Sequence, residues 1–341
     1  MKSHRILLFF ILICCIAPSG CAGSPIGDPL VAELPAMDTL MKLTLYGENA
    51  QAAAEPAKER IRELEGLLST TDENSEIYAA NHSGGAPVAL SGDTAALLDR
   101  ALQLCRRTDG ALDVTIYPVV RAWGFTTGGG RVPDRAELDG LLERVDYARV
   151  SLSGSTLTLP EGMELDLGAV AKGYTGDVLM DLLEEAGVTS AIVELGGNVQ
   201  ALGSKPDGSP WRVAVQAPEG GYAAALEIVD KAVVTSGGYQ RFFEQDGEIY
   251  WHIIDPAAGR PARSGLASVT IVAEEGTLCD GLSTALFVMG ADRAAEFWRE
   301  TGDFDFVLLD EEGGVTITEG LEDSFSLCGE WAGRPLEVLR R

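Results

Sequence analysis

From residue 41 to residue 47 (MKLTLYG) apolar and polar residues alternate, the period of a half-buried strand. The period then changes. Residues 50–68 place apolar side chains three and four apart, as a helix does, and stop at a polar run over 69–75. A second helix is predicted over 93–108, with Leu97, Leu98, Ala101, Leu102 and Cys105 on one face. Next come a loop over 126–135, a short helix over 135–144 and a hairpin over 150–159 that turns at Ser153-Gly154-Ser155. A strand at 164–167 leads into a helix from 171 to 186. Strands follow at 191–195 and 199–202, joined by the tight turn Gly196-Gly197, then at 211–216, 224–229, 232–235, 249–254 and 268–273. Helices at 279–289 and 291–300 precede a closing hairpin built from 306–309 and 315–318. Hairpins outnumber strand–helix–strand crossovers, so the pattern predicts a mixed α/β (α+β) fold with largely antiparallel sheets and flanking helices.

The N-terminus has a different character. A basic stretch, Met1 to Arg5, precedes eleven unbroken apolar residues from Ile6 to Ile16, too few to span a bilayer and the right number for a signal peptide. Ser19-Gly20-Cys21 resembles the lipobox of bacterial lipoproteins, with Pro18 in place of the usual aliphatic residue. Two outcomes stand: lipidation of Cys21, or plain secretion with cleavage near Ala22 or Ser24. The organisation expected is a signal peptide over 1–20, a tether over 21–33 and one folded domain over 34–341.

Composition narrows the partners. Hydrophobic residues at 46% and charged residues at 23% are ordinary for a globular chain. The formal charge of −26 disfavours nucleic acid, and it means that membrane attachment, if any, comes through lipid rather than charge. The three histidines (His4, His82, His252) exclude a His-rich metal site. Cys105, Cys279 and Cys328 show no CxxC spacing, so neither a disulfide scaffold nor a zinc site is expected.

Four clusters break local rules. In Leu165-Asp166-Leu-Gly-Ala169-Val-Ala-Lys172-Gly-Tyr a strand-to-helix turn offers free N–H groups and a lysine at the helix end where the dipole disfavours it. That is either an anion site or a capped turn with a solvated lysine. His252, in Trp251-His-Ile-Ile-Asp255-Pro, is either structural or a general base. Asp280, Ser283 and Thr284 lie within one helical turn, and Asp280 and Thr284 share a face. They suit either a hard cation such as Mg²⁺ or a buried helix start. Val234-Thr-Ser-Gly-Gly-Tyr239 and Gly110-Ala111-Leu112-Asp113 place glycine beside hydroxyl or acidic groups, where backbone can approach a ligand.

Taken in order along the chain, these and other segments resemble the ApbE family of FAD:protein FMN transferases. The matches are Met37-Asp-Thr, Leu68-Ser-Thr with Asp72, Ser75 and Asn81, Gly110-Ala-Leu-Asp113 with Pro118 and Trp123-Gly-Phe125, Leu165-Asp-Leu-Gly with Lys172-Gly-Tyr, Glu194-Leu-Gly-Gly-Asn198, Thr235-Ser-Gly, His252-Ile-Ile-Asp-Pro with Gly259-Arg-Pro261, and Asp280 to Thr284. The resemblance implies a T-fold-like single catalytic domain with a flavin cleft. FAD would be cut at its diphosphate, FMN would pass to a threonine hydroxyl of an acceptor flavoprotein, and AMP would leave. It implies FAD contacts at Met37, Ala111, Leu112, Asp113, Asp166, Lys172 and Ile254. It implies Mg²⁺ at the Ala169 carbonyl, Asp280 and Thr284 with Ser283 close by, and catalytic parts for His252, Lys172 and Asp166. Thr71 stands where the family often has an aromatic residue, and Tyr78 is the candidate to take over flavin stacking. The acceptors implied are membrane or extracellular electron-transfer subunits, met at the outer face of the cell membrane or facing the periplasm. The alternatives are an FAD pyrophosphatase and a non-catalytic flavin-binding lipoprotein.

Overall fold

The computed structural model describes residues 27–126 and 128–341. The signal segment 1–20, Cys21 and residues 22–26 lie outside the described residues.

Nine strands form one sheet and follow each other across it in chain order: Leu30–Ala36, Thr39–Tyr46, Ser190–Leu195, Asn198–Leu202, Ala232–Gly237, Leu266–Ala273, Asp305–Asp310, Val315–Thr318 and Leu336–Leu339. Every neighbouring pair is antiparallel except the last, in which Leu336–Leu339 runs parallel to Val315–Thr318. The expected mixed fold with antiparallel sheets is therefore present, and the expected closing hairpin gains one further strand. Helices and smaller hairpins are inserted between strands. The longest insertion, between Tyr46 and Ser190, carries the helices Ala50–Leu68, Gly92–Arg107 and Ala171–Glu185; another, between Ala273 and Asp305, carries Gly276–Met289 and Ala291–Thr301.

The central strands are apolar on both faces because both faces are covered. Val234, Val269, Ile271, Phe306 and Leu308 pack under the helices, while Val233, Val272, Val307 and Leu309 face a second, three-stranded sheet built from Trp211–Gln216, Tyr222–Ile228 and Phe325–Leu327. The first hairpin is covered on one side only. Met41, Leu43 and Leu45 turn inward against Ala53, Ala57 and Ile61 of one helix and Leu179 and Leu183 of another. Leu30–Ala36 begins inside the stretch 21–33 expected as a tether, so residues 30–33 belong to the sheet. Its Pro35 is compatible with a strand at the edge of the sheet, where no ladder donor is needed on the outer side.

Two expected strands take other forms. Residues 164–167 are extended, but their only strand-type pairing is a single bridge from Glu164 to Ile116. Asp166 N–H donates to Val114 O at 2.8 Å, and on Leu165 a side chain takes a strand's place: Asn81 Nδ2 donates to Leu165 O at 2.9 Å and Leu165 N–H donates to Asn81 Oδ1 at 2.7 Å. The strand expected over 249–254 is two pieces, Glu248–Trp251 and Ile254–Asp255, broken at His252.

Candidate active site

The helices Ala171–Glu185 and Gly276–Met289 both start without a side chain of their own to cap them. They cap each other. Asp280 Oδ2 accepts the N–H of Gly173 at 2.9 Å. In return Asp177 accepts from Gly276 N at 2.6 Å, Thr277 N at 2.8 Å, Thr277 Oγ1 at 2.5 Å and Gln200 Nε2 at 2.6 Å. This satisfies donors that every helix start leaves orphaned. It also needs close approach. A Cβ on Gly173 would overlap the Gly276 carbonyl and press on Asp280 Cβ, and one on Gly176 or Gly276 would strike Gln200. Sequence reading singled out Asp280 and missed the parts of Asp177 and Gln200. The signal available was the repeat of Gly173 and Gly176 ahead of Asp177.

The reciprocal caps fix the charges of the site. Asp280 is buried, and burial pushes its carboxyl pKa up while Lys172, 3.9 Å away, pulls it down. Asn198 also sits close enough to pull it down, although its Nδ2 makes no hydrogen bond of ordinary geometry. Because the Gly173 N–H goes to Asp280, the Ala169 carbonyl does not receive it as it would in a longer helix. A third element joins here: Ser236, in the Thr235-Ser-Gly segment, places Oγ 2.8 Å from Ser283 Oγ and 3.4 Å from Thr284 Oγ1. Ser283 is fully buried and donates back to Asp280 O at 2.8 Å, so its hydroxyl serves the helix, and Thr284 is the more accessible of the two.

His252 stands opposite. Both its backbone N–H, at 3.0 Å, and its ring Nδ1, at 3.2 Å, point to the carbonyl of Arg241. A carbonyl only accepts, so Nδ1 carries the proton and Nε2 keeps its lone pair. Burial lowers the imidazole pKa to about 4, and the positive charges of Arg241 and Lys172 push the same way. Asp166 shares these neighbours: burial raises its pKa, and Arg241 and Lys172 oppose the rise. Its Oδ1 accepts Gly168 N–H at 2.8 Å, which caps the turn before the helix rather than the helix itself. Phe125 meets His252 edge-on at 6.5 Å, at the end of an aromatic cluster of Trp123, Phe243 and Tyr250.

The remaining expected residues have structural work of their own. Asp113 turns its carboxylate inward, to Thr115 N at 2.8 Å, Thr115 Oγ1 at 2.6 Å and Tyr147 N at 3.1 Å, and burial raises its pKa against those bonds. Ala111, Leu112 and Ile254 are nearly buried, and Leu112 abuts Gly281 beside Asp280. Met37 occupies the left-handed region at φ 48°, held by its N–H to Glu65 Oε1 at 2.6 Å, with its sulfur 3.8 Å from Thr175 Oγ1 on the 171–185 helix. Tyr78 stacks on His82 with ring centroids 3.9 Å apart, and Thr71 is exposed.

One carboxylate with hydroxyl and carbonyl oxygens suits Mg²⁺, which binds through one or two carboxylates and keeps positions for water and phosphate. Among the described residues no three His, Cys, Asp or Glu side chains gather to hold a metal, so a closed zinc-type site is not present there. Fold and site thus define an α/β protein that brings cationic side chains, an oxygen-donor set and a neutral imidazole together, groups whose chemistry suits an anionic ligand. The chain belongs to the ApbE family, whose model matches residues 37–308. It is 34% identical to an FAD:protein FMN transferase of Treponema pallidum over 92% of this chain and 93% of that protein. It is also 34% identical to one of Salmonella typhimurium, over 90% and 91%. Among solved structures it superposes on the ApbE protein of Thermotoga maritima with a TM-score of 0.83, 30% identity and coverage of 87% and 99%. With the flavin transferase ApbE of Vibrio cholerae the TM-score is 0.76, identity 28% and coverage 89% and 98%.

Proposed function

We propose that this chain is an FAD:protein FMN transferase. The observation that carries the reading is the meeting of Lys172, Asp280 and the Ser236–Thr284 hydroxyls at the mutual caps of two helices, with His252 nearby. Lys172 would hold the diphosphate of FAD. Asp280, Thr284 and the Ala169 carbonyl would hold Mg²⁺, which when bound offsets charge on the diphosphate and the leaving phosphate. Nε2 of His252 takes the proton as the acceptor threonine oxygen bonds to the FMN phosphorus and the bond to AMP breaks. Asp166 orders the turn that presents Ala169. Ala111 and Leu112 would meet the flavin nucleotide through backbone atoms, and Asp113 supports that loop from behind.

The test is incubation with FAD, Mg²⁺ and a flavoprotein acceptor carrying a short Asp/Ser-Gly-Ala/Ser-Thr type segment, followed by mass spectrometry for added FMN. Free FMN in place of modified protein would indicate a pyrophosphatase, and FAD bound without AMP release a storage protein. The same assay run across pH tests His252. With its pKa near 4 instead of 6.5, the imidazole is neutral at pH 5 and above and becomes charged only below that. The rate should therefore stay level down to about pH 5 and halve near pH 4. Wild-type transfer by a folded His252→Ala protein, with the acid limb unchanged, would show that His252 is not the base. A lipid on Cys21 would keep the enzyme beside its membrane acceptors, outside the cell membrane or facing the periplasm. Cys21→Ala should then move the protein from the membrane fraction to the soluble one.

A further inference from the structure

We propose that Arg241 is a second cation for the diphosphate of the dinucleotide, held in reserve by Asp38 until the substrate enters. This rests on the transferase reading above. Arg241 precedes the hairpin Phe242–Gln245/Glu248–Trp251, and its carbonyl holds both the backbone and the ring of His252. Its side chain is therefore anchored at a point fixed relative to the base. Its charge reaches His252 and Asp166, the two groups that Lys172 also reaches from the 171–185 helix. The two cations thus bear on one space from different elements.

Lys172 is partly committed, because it lies 3.9 Å from Asp280. Arg241 is not. Its ion-pair partner, Asp38, is 3.8 Å away, and the two side chains are 52% and 86% exposed. A pair that open and long contributes little. Asp38 is placed there by a turn in which it and Met37 both adopt left-handed backbone, at φ 60° and 48°. That conformation is uncommon for a methionine and is kept here by the Glu65 contact. A planar guanidinium binds two phosphate oxygens at once, so exchanging one exposed carboxylate for a diphosphate is favourable.

Flavin fluorescence titrations with FAD and with riboflavin, which lacks phosphate, test the idea on the wild type, Arg241→Ala, Arg241→Lys and Asp38→Asn. Arg241→Ala should weaken FAD binding about tenfold or more and leave riboflavin binding unchanged. Arg241→Lys should recover part of the loss. Asp38→Asn, which frees the guanidinium, should tighten FAD binding by up to about fivefold. A purely structural ion pair gives a different pattern: both variants weaken FAD and riboflavin alike. That result, or unchanged FAD binding in Arg241→Ala, overturns the proposal. A wild type that binds riboflavin but shows no preference for FAD overturns it too. A wild type that binds FAD normally yet modifies no acceptor counts against the transferase reading and leaves these affinities to decide the part of Arg241.

Discussion

Asp280→Asn should reduce FMN transfer by on the order of 10²–10³-fold, the usual loss when one preorganised charge-stabilising group is removed. Asparagine keeps the volume, and its carbonyl oxygen can still accept the Gly173 N–H, so the start of the 171–185 helix survives. What disappears is the one buried carboxylate beside Lys172 among hydroxyl and carbonyl donors. EDTA should produce the same loss in the wild type and have little further effect on the variant. Covalent flavin on the acceptor, read by in-gel fluorescence, gives the rate, and thermal melting checks the fold. Wild-type transfer by a well-folded Asp280→Asn protein would show that the cation is held elsewhere.

The largest effect on stability is expected at Asp177. Its carboxylate receives four hydrogen bonds, two of them from the first backbone N–H groups of the 276–289 helix. Asp177→Ala leaves these donors and the Gln200 amide with one wall of their site missing. Each unsatisfied buried donor costs about 1–3 kcal/mol. A cleft that touches Asp177 and Thr277 admits water to offset part of this. The expected net loss is about 3 kcal/mol, a large share of a typical domain's stability. Urea unfolding measures it, and a loss below about 0.5 kcal/mol would mean that the mutual capping contributes little. Transfer should fall as well, since the same crossing sets Asp280 against Gly173.

Much of the architecture was legible because burial leaves periodic marks. The helix expected over 50–68 is found at Ala50–Leu68, and most of the expected strands appear within a residue or two. What escaped lacked such a mark. Leu165 and Leu167 are buried around a half-buried Asp166, so the extended form could be read, but it is held by the 114–116 backbone and by the amide of Asn81, and no periodicity encodes a side chain that takes a strand's place. The strand Leu30–Ala36 was hidden by Pro29 and Pro35, which suggest a linker unless the segment lies at a sheet edge. The break at His252 was hidden because Trp251, Ile253 and Ile254 are all buried and look like one apolar strand. Within the site, Asp280 and Lys172 stood out as charges in apolar surroundings. Asp177 and Arg241 gain their importance from elements about 100 residues away for Asp177 and about 200 for Arg241, which no local pattern marks.

The strands are laid down across the sheet in the order in which they are synthesised, while the polar groups of the site hang on successive connections, from Lys172 through His252 to Thr284. A nascent chain cannot gain from bound nucleotide until residue 284 has emerged. Mass action can favour the native state only after most of the sheet has paired without help. In cells short of riboflavin the enzyme should still mature, empty and ready to be filled.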